Sequence, residues 1–316
     1  MHICFHDNSL SVRGTTVAVF DYAFYCQKFF GLTSSILYCE NHIANDKSVI
    51  KKFKQEFNVV RSYKTLHELN VLLEDISPDA FFMEKAGPYD GVISSVCKNW
   101  IHAISICQPN QIYGDKFCMG SKWLSYIVSY KIPYVPYMIN LPDIHYDNFR
   151  QELNIPQDSI VFGRNGGHNT FDLDFVKEAI KDTLKTRNDI FFLFQGTDKF
   201  YEHDNIIYLP KSPDIYTKIK LINTTDALLH ARYIGESFGA TCAEFSYLNK
   251  PVITWYGSRE RNHIDILGDI GIYYNNYSDI FKILNNFKVD QNKDYNAYKD
   301  YSPEKVMKIF EEQYLI

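Results

Sequence analysis

The sequence predicts an α/β protein built of two doubly wound, Rossmann-like domains. Three observations carry that expectation. Short apolar runs alternate with amphipathic stretches along nearly the whole chain, the pattern of parallel strands joined by helices. The 316 residues are long for one hydrophobic core and comfortable for two. One stretch, from Asp226 to Trp255, also spells a complete strand–loop–helix–strand unit. Its glycines stand at the carboxyl end of the first strand, where open α/β sheets place ligands.

The elements follow in order. A strand at residues 3–5 leads through a polar loop into Gly14-Thr15-Thr16 and a helix. Next come a strand at 35–38, a helix at 46–57, a short strand at 58–60, a helix at 66–76 and a buried strand at 80–83. A Gly-Pro loop at 87–91 precedes a strand-like run at 100–106, which carries His102. Residues 121–125 read as a helix start. Residues 131–139 read as a strand whose prolines suit an edge or a crossing. A polar link at 140–149 closes a first domain of residues 1–142.

The second domain, 143–300, opens with a strand at 159–163 and a helix at 175–184. A fully apolar strand at 190–194, a strand at 206–209 and a helix at 216–221 lead to the central unit. There 227–230 is a strand, 235–239 a tight loop, 240–248 a helix stopped by Asn249-Lys250-Pro251, and 252–255 a strand. A polar loop at 257–263 and a short strand at 272–274 follow. The tail, 301–316, starts a helix with Ser302 as N-cap and Pro303 at its first position. No internal repeat or low-complexity tract interrupts the chain.

Composition narrows the function classes. Hydrophobic residues at 46% and charged residues at 22% are ordinary for a globular protein. The net charge of -5 argues against a general nucleic-acid binder, which needs a basic face. The 7 cysteines lack metal-ligand spacing and suggest reduced thiols inside a cell. No apolar run approaches the roughly 20 residues of a membrane span, so the expected location is the cytoplasm.

The chemistry concentrates at Glu236, Phe238-Gly239, Glu244 and the closing Asn249-Lys250-Pro251-Val252-Ile253. A loop with a carboxylate on either side of a helix N-terminus can hold a sugar hydroxyl, a diphosphate and a ribose together. A carboxylate beside a helix N-terminus is also stabilising by itself, by about 0.3–1 kcal/mol. As a whole the run resembles the donor-site signature of the retaining glycosyltransferases of family 4. The resemblance covers nearly the whole chain and is strongest over residues 160–255.

That resemblance implies the GT-B fold: two Rossmann-like domains facing a central cleft, with a C-terminal helix crossing back. It implies an acceptor-side first domain and a nucleotide-sugar donor domain. It also assigns roles. Glu236 would hold donor-sugar hydroxyls, with the Phe238 and Gly239 amides nearby, and Glu244 would hold the ribose. Gly163-Arg164, following a strand, matches the Gly-Arg whose guanidinium grips the pyrophosphate. Gly14-Thr15 matches the glycine that lets the backbone approach the donor, Lys211 follows the strand that recognises the base, and His102 matches a histidine that reaches the donor sugar.

One departure stands out. The family's lysine about five residues after the arginine is absent, and Asn169 and Thr170 occupy its place. Lys211 or Arg232 are the candidates for the second positive charge. Asp172-Leu173-Asp174 spells a metal-binding pattern of the other glycosyltransferase fold, but precedes a helix and reads as capping. The expected activity is therefore retaining, metal-independent transfer from a nucleoside-diphosphate-sugar, with UDP or GDP as nucleotide, to a glycan or glycoconjugate hydroxyl. No further cofactor is expected. A nucleotide-sugar epimerase or hydrolase, and a non-catalytic nucleotide- or glycan-binding protein, are the alternatives.

Overall fold

Strand and helix alternate from the second residue. The computed structural model describes residues 1–127, 132–142 and 147–316. Two units divide the chain: Met1–Asn140 with Tyr301–Ile316, and Leu141–Asp300.

Unit 1 runs β1 (His2–Asp7), α1 (Gly14–Phe30), β2 (Thr33–Cys39), α2 (Lys47–Glu56), β3 (Val60–Tyr63), α3 (Leu66–Ile76), β4 (Ala80–Lys85), β5 (Lys98–Ala103), β6 (Lys116–Met119) and α4 (Lys122–Ile127). Its strands form one parallel sheet in the order β3-β2-β1-β4-β5-β6. Alternation along a strand sends neighbours to opposite faces. Ile3 and Phe5 of β1 thus join the core under α1 and α2, while Cys4 between them joins the core under α3. Side chains bonded to the first-turn amides start two of the helices, Asp46 for α2 and Thr65 for α3. Gly31, at φ 63°, ends α1 in the left-handed region that favours glycine.

Unit 2 runs β7 (Ile160–Asn165), α5 (Asp174–Leu184), β8 (Ile190–Gln195), β9 (Ile206–Leu209), α6 (Ile215–Thr224), β10 (Ala227–His230), β11 (Gly235–Glu236), α7 (Ala240–Tyr247), β12 (Val252–Trp255), β13 (Glu260–Arg261), α8 (Asn262–Leu267), β14 (Ile272–Tyr274) and α9 (Tyr277–Asn286). The large sheet is again parallel, ordered β14-β12-β10-β7-β8-β9, and β11 pairs only with β13. Phe162, Phe192 and Phe194 fill the core between this sheet and α5 with α9. The last helix, α10 (Pro303–Phe310), returns to unit 1. Phe310 and Tyr314 pack on Phe82, and the Tyr314 hydroxyl donates to the Ile101 carbonyl at 2.8 Å.

Several local expectations change. Residues 132–139 form no strand; a single bridge joins Tyr134 to Met119, because Pro133 and Pro136 cannot donate to a ladder. Lys131 and Asp143 lie outside the described residues. The expected loop at 257–263 contains β13 and the start of α8. Asp172 and Asp174 do not cap α5, whose N-cap position is Leu173. Asp172 instead accepts from the Tyr233 amide at 2.7 Å, and Asp174 pairs with Lys177 at 2.8 Å. Ser302 holds the N-cap position of α10 but makes no capping side-chain bond, while Pro303 does open the helix.

Candidate functional site

In unit 2 the chain winds from β7 outward through β8 and β9, then jumps back beside β7 with β10 and winds the other way through β12 and β14. The carboxyl ends of β7 and β10 therefore flank the switch point, the place where such sheets open a ligand crevice.

At the end of β7, Gly163 is required by close approach: a Cβ there would stand 2.2 Å from Thr225 Cγ2. Arg164 follows, only 4% exposed. Its guanidinium donates to the Thr197 and Thr170 hydroxyls and lies over the Phe171 ring at 5.2 Å. Burial brings its pKa down to about 10, against the opposing charge of Glu236. Thr170, at the place of the absent lysine, thus holds the arginine rather than supplying a charge. Lys211 is exposed just past β9, and its chain crosses Gly196, where a Cβ would meet Lys211 Cγ at 2.7 Å. Gly196 in turn lies against the Gly166 carbonyl, so Lys211 runs beside the loop that follows Arg164.

At the end of β10 the loop is shaped by two glycines in the left-handed region, Gly235 at φ 81° and Gly239 at φ 86°. A Cβ on Gly235 would stand 2.1 Å from the Glu260 carbonyl oxygen, and one on Gly239 2.9 Å from His263 Cβ. The two-residue ladder of β11 with β13 then fixes Glu236 opposite Arg261. The Glu236 side chain is 23% exposed. Its Oε1 lies 3.2 Å from His230 Nε2 and its Oε2 2.9 Å from Arg232 Nη1. Burial by itself raises this carboxyl, but the hydrogen bonds and charges of His230 and Arg232 outweigh it and lower the pKa to about 2. Glu260 nearby goes the other way, raised by burial with Arg232 opposing.

Behind Glu236 the contacts continue inward. His230 Nδ1 is 2.9 Å from Thr254 Oγ1, which is 3.1 Å from His263 Nε2. Burial and the neighbouring His230 lower His263 to about 3, so it is neutral. The first turn of α7 is tied to β7 by Thr241, whose hydroxyl donates to the Asn165 carbonyl at 2.8 Å. Its first amides have no carbonyl partner within the helix and carry the positive end of its dipole. Phe238 is buried, and its carbonyl accepts from Asn262 and Tyr298 at 3.3 Å each. Glu244, one turn into α7, pairs with Lys218 at 2.6 Å.

The fold thus gathers Gly163, Arg164, Lys211, Glu236, Phe238, Gly239 and Glu244 around one sheet end. Thr197, Lys218, Thr254 and His263 join them without having been read from the sequence as site residues, and Thr170 was read only as standing where the lysine is absent. His230 was read only as the last residue of a buried strand. A histidine closing a strand directly before a ligand loop was the available signal.

The expected residues of unit 1 lie elsewhere, and one of them is placed unlike its expectation. His102 has no exposed surface. Its Nε2 donates to the Val135 carbonyl at 2.8 Å, its Nδ1 faces Glu84 Oε2 at 3.6 Å, and Tyr22, Phe82 and Tyr137 enclose the ring. As placed, it is a core histidine. Gly14 opens α1 in free space, with nothing within 4 Å of a Cβ built on it. Thr15 beside it is half-buried and bonds the Asp7 carboxyl. Among the described residues no group of three His, Cys, Asp or Glu is placed to hold a metal ion, and no helix is long and apolar enough to cross a membrane.

No family model and no curated protein matches this chain. Solved structures do. HepE of Anabaena in complex with UDP-glucose superposes with a TM-score of 0.72 at 14% identity, covering 100% of both chains. The chain has the GT-B fold. Sucrose-phosphate synthase of Thermosynechococcus elongatus gives a TM-score of 0.64 at 11% identity, over 98% of this chain and 94% of that one. A protein of Listeria monocytogenes assigned as a UDP-N-acetylglucosamine 2-epimerase gives 0.61 at 10%, over 98% and 95%. In this GT-B chain, the β7–β10 switch point belongs to the second Rossmann-like unit.

Proposed function

We propose that this GT-B protein is a retaining, metal-independent glycosyltransferase. It moves a sugar from a nucleoside diphosphate, UDP in the first instance, to a hydroxyl of a glycan or glycoconjugate acceptor. The observation that carries this reading is a carboxylate kept ionised between His230 and Arg232 at the strand ends that also hold Arg164. Glycosyl transfer needs an acceptor for the donor-sugar hydroxyls beside cations for the departing diphosphate, and this site offers both. The UDP-glucose complex of HepE supports the choice of nucleotide.

Charge stabilisation of the leaving diphosphate supplies most of the rate gain. Arg164 and the first amides of α7 meet its oxygens, and Lys211 supplies the second cation that the missing lysine would have given. Glu236 accepts from the donor-sugar hydroxyls, and Glu244, freed from or shared with Lys218, accepts from the ribose. Asp172 and Asp174 are engaged by Tyr233 and Lys177, which supports a site that works without a bridging metal. Unit 1 is the acceptor-side domain on this reading, and Gly14 and Thr15 are its candidates for approach to the donor. His102 is left out of the reacting groups because it is sealed in the core.

The epimerase or hydrolase reading is the second one, favoured by the Listeria neighbour. One incubation separates the two. With EDTA present, UDP-sugars are supplied with and without a mixture of sugar acceptors, and products are followed by NMR. The expected outcome is an acceptor-dependent glycoside with the donor's own anomeric configuration. Isomerised or hydrolysed sugar from donor alone would favour the second reading, an inverted glycoside would exclude retention, and a Mn²⁺ requirement would exclude metal independence. UDP binding with no product would point to a non-catalytic protein.

A further inference from the structure

Glu236 is the outer end of a hydrogen-bonded chain that runs into the core of unit 2 through His230, Thr254 and His263. The chain has its own logic. His230 closes β10 and Thr254 lies directly opposite it on β12, so the parallel ladder sets their side chains together. His263, from α8, packs its ring 5.0 Å from that of His230. Thr254 has one hydroxyl proton and stands between two ring nitrogens, so it can donate to only one of them.

Two proton arrangements fit the distances. In the first, Thr254 donates to His263, His230 Nδ1 donates to Thr254, and His230 must be doubly protonated to donate to Glu236 as well. In the second, His263 Nε2 donates to Thr254, Thr254 donates to His230 Nδ1, and His230 donates through Nε2 to Glu236. The second arrangement needs no imidazolium. His263 also bears on the Glu236 backbone. In both arrangements His230 presents a proton on Nε2 to Glu236 Oε1.

We propose that His230 is a positioning residue for Glu236, its ring fixed from behind by Thr254 and His263 so that a proton on Nε2 always faces Glu236 Oε1. With Arg232 on Oε2, the carboxylate is held at both oxygens and its remaining lone pairs are aimed at one place. The logic is that of the buried groups that orient a catalytic or metal-bound histidine from behind. Arg164, Glu260 and Cys242 also bear on this pocket electrostatically, but none of them bonds His230. The inference rests on the reading of Glu236 as the acceptor for donor-sugar hydroxyls.

The test uses Glu236→Gln, His230→Ala, His230→Gln and Thr254→Val in the full chain, each measured for kcat, for UDP affinity by calorimetry and for thermal midpoint. His230→Ala is expected to lower kcat about 10- to 100-fold, the usual effect of removing an orienting partner, with UDP affinity unchanged. His230→Gln, which keeps an N–H near the Nε2 position, recovers part of the loss. Glu236→Gln checks the reading beneath: full activity in that variant removes the proposed role of Glu236. If Glu236→Gln is inactive while folded His230→Ala retains wild-type kcat, the positioning role is overturned. Loss of UDP affinity together with activity in His230→Ala would make its role merely structural. A second readout does not depend on the alanine variant folding. Ring nitrogen NMR of the wild type should show His230 protonated at Nε2, and a mixture with the Nδ1–H form in Thr254→Val. A wild-type His230 with its proton on Nδ1 alone would overturn the proposal.

Discussion

At the switch point of unit 1, Asp7 ends β1 and Lys85 ends β4; at that of unit 2, Arg164 stands at the end of β7 and His230 at the end of β10. The two sheets share one winding, so the difference is one of side chains. In unit 1 burial rules. Lys85 is sealed against both oxygens of Asp90 at 2.9 Å and its pKa is lowered by burial. Asp7 and Glu84 are both raised by burial, despite the hydroxyls of Thr16 and Tyr137. At Glu236 in unit 2 partners prevail instead, and its pKa is lowered to about 2 in spite of burial. On the proposed reading, topology makes a crevice in each unit, and the surplus of hydrogen-bonding cations makes the second the anion site.

The largest expected effect sharpens that contrast. Glu236→Gln should lower kcat by at least about 10²-fold, the scale of losing one preorganised electrostatic contact, while Glu84→Gln in unit 1 leaves transfer unchanged. Steady-state rates on the same donor and acceptor decide it. Next, Arg164→Ala should weaken UDP binding by about 1.5–3 kcal/mol, the worth of hydrogen bonds to a charged group. Lys85→Met should leave UDP affinity in place; a calorimetric loss at Lys85 rather than Arg164 would reverse the assignment of the two crevices.

The third effect is on acid stability. His263 has a folded pKa of about 3 against an unfolded 6.5. Its contribution is therefore complete above pH 6.5 and is lost as pH falls toward 3. His263→Gln should flatten the slope of stability against pH in that window by up to about 1.4 kcal/mol per pH unit. Urea unfolding at a series of pH values reads it. The smallest effect concerns glycines. Gly239→Ala meets both a left-handed backbone and His263 Cβ and should cost about 1 kcal/mol or more of unfolding stability. Gly14→Ala stands in open space and should leave the thermal midpoint unchanged.

Much of the fold was legible. Ala227–His230, Ile206–Leu209, Val252–Trp255, Ile272–Tyr274 and Leu66–Ile76 are read residue for residue, because apolar runs there end at turn residues. The short strand Lys116–Met119 was not, since its four residues lie between a glycine and a serine-led helix with no alternation to read. The helix Tyr277–Asn286 was also missed; its polar, asparagine-rich ends hide a capped start at Asn276. Within the site, Arg164 and Glu236 lie on the motif itself. Their partners arrive from far along the chain: Thr197 for Arg164, Thr254 for His230 and Lys218 for Glu244. Spacing carries no record of such pairings, because parallel register and helix packing create them. For His102, an apolar run marks a strand but does not say whether a given side chain faces a crevice or a core.

The claim that the second switch point, not the first, is the anion site is tested most directly by hydrogen–deuterium exchange with and without UDP. Ligand binding to the native state slows the local openings of the segments it holds. The expected result is protection of residues 163–170, 195–198 and 235–244. Protection of residues 7–16 and 85–91, with none in those three segments, would contradict it.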